Sequence, residues 1–359
     1  MKKLALEIVG GLLVLLLALE ALSWLLPTST ATSTGYYIDP EILSYPAGHR
    51  WTMSTGWDMR NAQRLVANNL GFASETDFVA NPNAVVLVGD SYVEASMLPA
   101  ASRPGAQLQR LLPGRPVYAM GAPGTALLDY AERIRYAATQ LQASHFVVLM
   151  EPGDVEQALC GSGNVHSQCL APDTLLRERQ RQGEAAVLKQ WLRHSALAQY
   201  LVSQLKVQPA ELLATAFRRE VPHGSAEKAD ETPPRPDPQT AAPAANTYAK
   251  QRQIADRVAD EFLATVKQHA APARVLIVVD GQRPPTVQRS PATLAAAGRF
   301  VQRAREAGLP VLELDDVFAP HHAVSSRSLS VSPLDGHLNE LGVALAARAV
   351  AHQLQREKE

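Results

Sequence analysis

The chain is 359 residues long, which suits one large domain or two small ones, and 46% of those residues are apolar, enough for a substantial core. A formal net charge of −1, with 34 basic against 35 acidic residues, gives no global basic signal and argues against nucleic acid as a partner.

Met1-Lys2-Lys3 is a short basic start, and Leu4 to Leu26 is then almost wholly apolar. At 1.5 Å per residue this run spans about 35 Å, enough for a bilayer core with some tilt. The lysines favour a cytoplasmic N-terminus, which exports the rest of the chain. Glu7 and Glu20 interrupt the run toward its ends, where a carboxylate reaches the interface. A secretory signal peptide has a shorter apolar stretch, about 7–15 residues. Residues 1–27 are therefore read as a retained anchor, with removal at Ser29-Thr30-Ala31 as the alternative. Residues 28–67 read as spacer and pre-domain segment. Thr28 to Thr34 is a flexible Ser/Thr-rich spacer. Tyr36, Tyr37, Tyr45, Trp51 and Trp57 suit an ordered segment packed on the main fold.

From residue 68 to 359 the chain has an α/β rhythm. Val85-Val86-Leu87-Val88 is short, β-branched and apolar, as for a strand buried on both faces of a parallel sheet. Gly89 and Asp90 break it, so Ser91 falls at the carboxyl edge of a sheet, where open α/β folds bind ligands. Gly105 to Leu112 reads as a helix, Val117 to Met120 as a strand, Ala126 to Gln142 as a helix and Phe146 to Met150 as another buried strand. This order predicts right-handed crossovers and a parallel sheet. Cys160 and Cys169 flank a Gly- and Ser-containing loop, and in an oxidising compartment a local disulfide is the natural reading. With only His166 between them they do not furnish a zinc site.

The rhythm lapses over about 155–248, read as an insertion in which Leu175 to Leu213 is helical. Residues 220–246, rich in Pro, Ala and charge and without aromatics until Tyr248, are read as disordered. Ala249 to His269 resumes with a helix, followed by a strand at Arg274 to Val279, a helix at Pro291 to Ala307, a strand at Val311 to Leu314 and a last helix at Asn339 to Leu354. Asp315-Asp316 reads as a turn, His321-His322 as a surface loop pair and Glu94 as a first-turn carboxylate favoured by the helix dipole.

Asp335 and His337 lie two residues apart in a loop leading into the last helix. A serine nucleophile needs a base to take its proton, and the base needs an acceptor that fixes its tautomer and stabilises the imidazolium. Ser91, His337 and Asp335 have these residue types, and each follows a strand. Alone, Gly-Asp-Ser is a strand-to-helix turn with Ser as a cap, and Asp-Gly-His is a helix cap. Together, in this order on this rhythm, they make a candidate active site.

At these residues the chain resembles the SGNH/GDSL hydrolases. Gly89-Asp90-Ser91 is similar to that family's first block, Gly121-Ala122-Pro123-Gly124 to its second, and Asp335-Gly336-His337-Leu338-Asn339 to its last. Asn68-Asn69-Leu70-Gly71-Phe72 resembles a lead-in upstream of the first block. The resemblance implies a three-layer α/β/α sandwich with a central parallel sheet (flavodoxin-like) behind an N-terminal transmembrane helix. It implies Ser91 as nucleophile, His337 and Asp335 as base and orienter, the backbone N–H groups of Ser91 and Gly124 as oxyanion donors, and no metal or cofactor. The family's third block carries an Asn donor, and here that place reads Met150-Glu151-Pro152-Gly153-Asp154. Asn164, in the loop between the cysteines, is a candidate replacement. The expected function is a single-pass inner-membrane serine esterase whose periplasmic domain acts on O-acyl, chiefly O-acetyl, esters of envelope carbohydrate or on a small ester. Alternatives are an O-acetyltransferase with the same triad, and a non-catalytic protein that binds glycan or scaffolds a membrane acyltransferase.

Overall fold

The computed structural model describes residues 2–30, 33–179, 194–205, 241–283, 286–333 and 335–356. Helix α1 (Lys2–Leu25) is long and apolar enough to cross a membrane, and its apolar side chains are exposed along its whole length. Two hairpins follow, β1 (Gly35–Asp39) with β2 (Ile42–Ser44) and β3 (Arg50–Thr55) with β4 (Arg60–Val66). The main fold then runs β5 (Val85–Gly89), the single-turn α2 (Ser91–Glu94), α3 (Pro104–Leu111), β6 (Val117–Gly121), α4 (Leu127–Gln140), β7 (His145–Met150) and α5 (Asp154–Gln157). A small hairpin, β8 (Gln168–Leu170) with β9 (Arg177–Arg179), and a short helix α6 (Ala196–Gln199) precede the long α7 (Ala241–His269). The chain closes with β10 (Val275–Val279), α8 (Pro291–Glu306), β11 (Val311–Glu313), α9 (Leu314–Val324), the hairpin β12 (Ser330–Ser332) and β13 (Asp335–Leu338), and α10 (Glu340–Arg356).

Five strands form one parallel sheet in the order β11-β10-β7-β5-β6. Alternation along each strand divides the core. Val86, Val88, Phe146, Val148 and Ile277 join α4, α7 and α8 on one face, whereas Val85, Leu87, Val147, Leu149 and Val278 join α3, α9 and α10 on the other. Strands buried on both faces need the continuous apolar runs seen in the sequence. This is the expected three-layer α/β/α sandwich, and it sets the carboxyl ends of β5, β6, β7 and β10 side by side.

Several expectations change. Thr28 to Thr30 are not a free spacer: the Ser29 hydroxyl donates to the Ser54 carbonyl at 3.0 Å and the Thr30 N–H to the Thr52 carbonyl at 3.0 Å. The front segment is sewn into the main fold, with Ile42 in its core, Asp39 bound to Arg135 at 3.0 Å and the Tyr36 hydroxyl donating to the His166 carbonyl at 2.7 Å. Trp51 packs on Tyr45 as expected, but Trp57 is 74% exposed at the β3–β4 tip. Glu94 is not a solvated dipole partner but a buried carboxyl, held by the Tyr45 hydroxyl at 2.9 Å and pushed by burial up to about 7.

Arg177–Arg179 is a strand, not the start of a helix, because Arg177 is drawn onto Glu132 and Glu261 across the α4 and α7 surfaces. Residues 180–193 and 206–240, and with them much of the expected insertion helix and most of the expected disorder, lie outside the described residues. The long helix begins at Ala241, so 241–246 are helical. The alanines there are strong helix formers, and Pro243 falls in the first turn, where it is tolerated. Asp315-Asp316 opens a helix that carries His321 and His322 near its end, and Asp335 and His337 sit on a strand rather than in a loop.

Gly89 ends β5 where a Cβ would lie 2.8 Å from the Leu149 carbonyl oxygen and 2.5 Å from Val93 Cγ2. Replacement Gly89→Ala forces the strand end and the nucleophile turn apart. It is expected to cost about 1–3 kcal/mol in chemical denaturation, the usual range for overpacking.

Candidate active site

Asp90 caps α2, its carboxylate accepting the Tyr92 N–H at 2.8 Å, and this starts a helical turn on the first residue past the strand. Ser91 is thereby raised off the sheet edge. His337 arrives from the other end of the chain on β13. Its Nε2 lies 2.9 Å from Ser91 Oγ, and its Nδ1 lies 2.6 Å from Asp335 Oδ1. The same carboxylate oxygen accepts the His337 backbone N–H at 3.0 Å. The network assigns the Nδ1-protonated tautomer, which leaves Nε2 to accept from the serine. The competing acceptor for Ser91, Asp90 Oδ2, is farther away at 3.4 Å.

Electrostatics match this geometry. Burial disfavours the imidazolium of His337, but the hydrogen bond and charge of Asp335, then the charges of Asp90 and Asp280, outweigh it and raise its pKa above the ordinary imidazole value. Burial pushes Asp335 up, and its bonds to His337 overcome that and hold it below the ordinary carboxylate value. The Tyr92 ring packs against the imidazole with centroids 4.7 Å apart.

The hairpin that brings His337 has its own anchor. Arg283, only 2% exposed, pairs with Asp280 just past the end of β10. Its guanidinium also donates to the carbonyl of Gly336 at 2.6 Å, to the carbonyl of Gly281 at 2.7 Å and to the Ser330 hydroxyl at 3.3 Å. Gly336 stands between Asp335 and His337, so one buried cation fixes both. Asp280 is tied to the sheet by its N–H, 2.8 Å from the Met150 carbonyl. The sequence reading passed over both residues. The available signal was position, since Asp280-Gly281-Gln282-Arg283 follows a buried strand directly at the ligand-binding edge.

The opposite wall comes from β6 and the disulfide loop. Gly124 has φ +73°, a conformation that favours glycine, and its carbonyl accepts the Val165 N–H at 2.7 Å. Among the described residues, neither the Ser91 nor the Gly124 backbone N–H has an acceptor within the chain. Cys160 and Cys169 are bonded. His166 is not a solvated loop residue: it is buried, with Nδ1 2.9 Å from Asp129, the N3 carboxylate of α4. In this position Asn164 lines the cleft and donates to Gln157 at 2.7 Å. Glu151, where the resemblance implies an Asn, lies 2.8 Å from Arg289. Among the described residues, the cleft around Ser91 is polar on most sides, with Gln157, Asn164, Glu151, Arg289 and Thr286, and apolar at Tyr92 and Val287. Among the described residues, no three His, Cys, Asp or Glu side chains group as metal ligands.

No family model and no curated protein matches the chain. Several solved structures are similar to it. One is a member of the lipolytic protein G-D-S-L family from Veillonella parvula, with a TM-score of 0.38 and 9% identity over 76% of this chain and 98% of that one. A lipase/acylhydrolase from Enterococcus faecalis gives a TM-score of 0.39 and 10% identity over 76% and 96%. An extracellular lipase from Streptomyces rimosus gives 0.37 and 13% over 77% and 99%.

Kinetic and stability measurements probe this geometry. A base must be neutral, and the His337 pKa is raised, so kcat/KM for an ester substrate is expected to climb with pH through a midpoint above the ordinary value of about 6.5. Asp335→Asn should move that midpoint down and lower kcat by about 10³–10⁴-fold. By the same linkage, the stabilising contribution of the pair is expected to be greatest between about pH 3.9 and 6.5. It fades below this window as Asp335 protonates and above it as His337 loses its proton. Separately, Arg283→Met leaves the buried Asp280 with only Arg289, 3.8 Å away, and is expected to cost up to about 3–5 kcal/mol in denaturant titration. The double variant Asp280→Asn/Arg283→Met should recover part of this stability.

Proposed function

We propose that the chain is an exported, membrane-anchored serine ester hydrolase of the SGNH type, acting on short O-acyl groups, acetyl foremost, of envelope carbohydrate. The observation that carries this reading is the continuous hydrogen-bonded series Ser91–His337–Asp335, at 2.9 Å and 2.6 Å. In this mechanism His337 Nε2 takes the Ser91 proton as Oγ attacks the acyl carbon, and Asp335 stabilises the imidazolium. The backbone N–H groups of Ser91 and Gly124 receive the oxyanion. The bond between acyl carbon and carbohydrate oxygen breaks, and that oxygen takes the proton from His337. Water, deprotonated by His337, then attacks the acyl-Ser91 ester, releasing the carboxylic acid and restoring the serine.

The substrate class follows from the cleft. Long acyl chains need an apolar trough, whereas the walls beside Ser91 are mainly amide, carboxylate and guanidinium groups suited to hydroxyl-rich ligands. Lys2 and Lys3 at the start of α1 and the disulfide favour a single-pass inner-membrane protein with a periplasmic domain. The non-catalytic alternative would gain from a His337 beyond reach of Ser91, and the 2.9 Å separation weighs against it. A carbohydrate hydroxyl in place of water would turn the same acyl-enzyme into an O-acetyltransferase.

Turnover of 4-nitrophenyl acetate and release of acetate from an O-acetylated oligosaccharide, by the purified full chain, test the proposal. Ser91→Ala is expected to lower both by about 10³-fold or more. Turnover by Ser91→Ala at the parent rate would exclude the mechanism. Addition of an unacetylated oligosaccharide separates the two reactions, since hydrolysis yields free acetate and transfer yields acetylated acceptor.

A further inference from the structure

Glu20 is a carboxylate in the last third of an apolar helix, where an unpaired charge is costly. It is fully engaged. The Ser195 hydroxyl donates to it at 2.7 Å, the Ala196 N–H at 2.8 Å, the Leu197 N–H at 3.1 Å and Trp24 Nε1 at 2.8 Å. The start of α6, which belongs to the exported domain, is thus clamped to α1 five residues before the helix ends. The chain beyond α1 has no slack either. Pro27, two residues past Leu25, accepts the Ser54 hydroxyl through its carbonyl at 2.8 Å. Gln204 then locks the corner, accepting from the Ser29 N–H at 2.8 Å and donating to the Gly56 carbonyl at 2.7 Å. The Tyr200 hydroxyl donates to the Trp57 carbonyl at 2.9 Å.

These contacts fix a height. At 1.5 Å per residue Glu20 lies only about 8 Å from the end of α1 along its axis. A helix of this length fills a hydrocarbon core of about 30 Å, so its end emerges in the headgroup layer. The β3–β4 tip and the Tyr200–Gln204 turn, bonded to that end, must lie at the same level. They carry exposed apolar groups: Trp57 is 74% exposed and Leu201 40%, and Trp24, one residue before the end of α1, is 66% exposed. Indole and tyrosine rings favour this layer because one edge is apolar and the other can hydrogen-bond.

We propose that Trp57, Leu201 and Trp24 form a surface that seats the domain on the lipid headgroup layer, continuing α1 rather than hanging from it by a tether. The occupant of this patch is the bilayer interface. The proposal goes beyond the catalytic reading and rests only on α1 spanning a bilayer. It means that the Ser91 cleft is held at one height and one orientation to the membrane, so substrates within that reach are favoured.

The full chain carrying Trp57→Cys labelled with bimane, in phosphatidylcholine nanodiscs, tests it. Labels at Leu15→Cys on α1 and Lys267→Cys on α7 serve as lipid and aqueous references. The residue 57 label should be quenched by lipids with a nitroxide near the headgroup and should be several-fold less sensitive to iodide than the Lys267 label. Glu20→Gln, and separately Ser195→Ala, should raise its sensitivity to iodide. If the Leu15 label is lipid-protected while the residue 57 label matches Lys267, the anchor reading holds and the seating is wrong. If the Leu15 label is also in water, the anchor itself fails and the seating falls with it. Unchanged iodide sensitivity in both Glu20→Gln and Ser195→Ala would overturn the clamp as its cause.

Discussion

The buried guanidinium of Arg283 joins the two halves of the candidate site. Ser91 belongs to the turn after β5 and His337 to a hairpin 246 residues later. Among the described residues no sheet register links the hairpin to the turn, because β12 and β13 pair only with each other. Arg283 supplies the link by holding the Gly336 carbonyl while its carboxylate partner, Asp280, bonds through its N–H to β7. Replacing such a pair with well-packed apolar groups often costs nothing or even stabilises, so stability alone is a weak reason to keep it. Its geometric effect is larger, since a misplacement of about 1 Å at a reacting pair can cost about 10²-fold in rate.

The other wall is built on different principles. Gly124 is fixed by the loop between Cys160 and Cys169, and that loop is fixed by a covalent bond and by His166 buried on Asp129. One wall therefore rests on an ion pair and the other on a disulfide, with the rigid carboxyl end of β5 between them. The carboxylates of Asp90, Asp280 and Asp335 near His337 all favour the imidazolium that forms when a serine gives up its proton. Arg283 and Arg289 balance the remaining negative charge.

Much of this was legible in the sequence because it follows local rules. The apolar runs at 85–88, 146–150 and 275–279 read as buried strands, and Gly89-Asp90-Ser91 marked where one of them had to stop. What stayed hidden depended on distant partners. Glu94 looked like a helix-start carboxylate, since nothing nearby announces Tyr45, 49 positions upstream, as its partner. His166 looked like a loop residue because Asp129 lies in a different element. Arg177 fell inside an apparent helix, and two acidic side chains from separate helices drew it into a strand. The helix at Leu314–Val324 was masked by an Asp-Asp pair that reads as a turn and by Pro320 within it. The Asn that the resemblance implies after the central strand has no counterpart at 150–154, and the cleft there holds Glu151 paired with Arg289.

Helix α1 belongs to the same picture. Glu20, which interrupts an apolar run long enough to cross a membrane, is the point at which residues 195–197 grip that helix. The most direct measurement of the central claim is peptide mass spectrometry after reaction with a fluorophosphonate, which labels only a serine activated by a neighbouring base. The adduct should fall on Ser91 in the parent chain and be lost in His337→Ala. An unmodified Ser91, or an adduct that survives His337→Ala undiminished, would contradict the assignment of Ser91 and His337 as nucleophile and base.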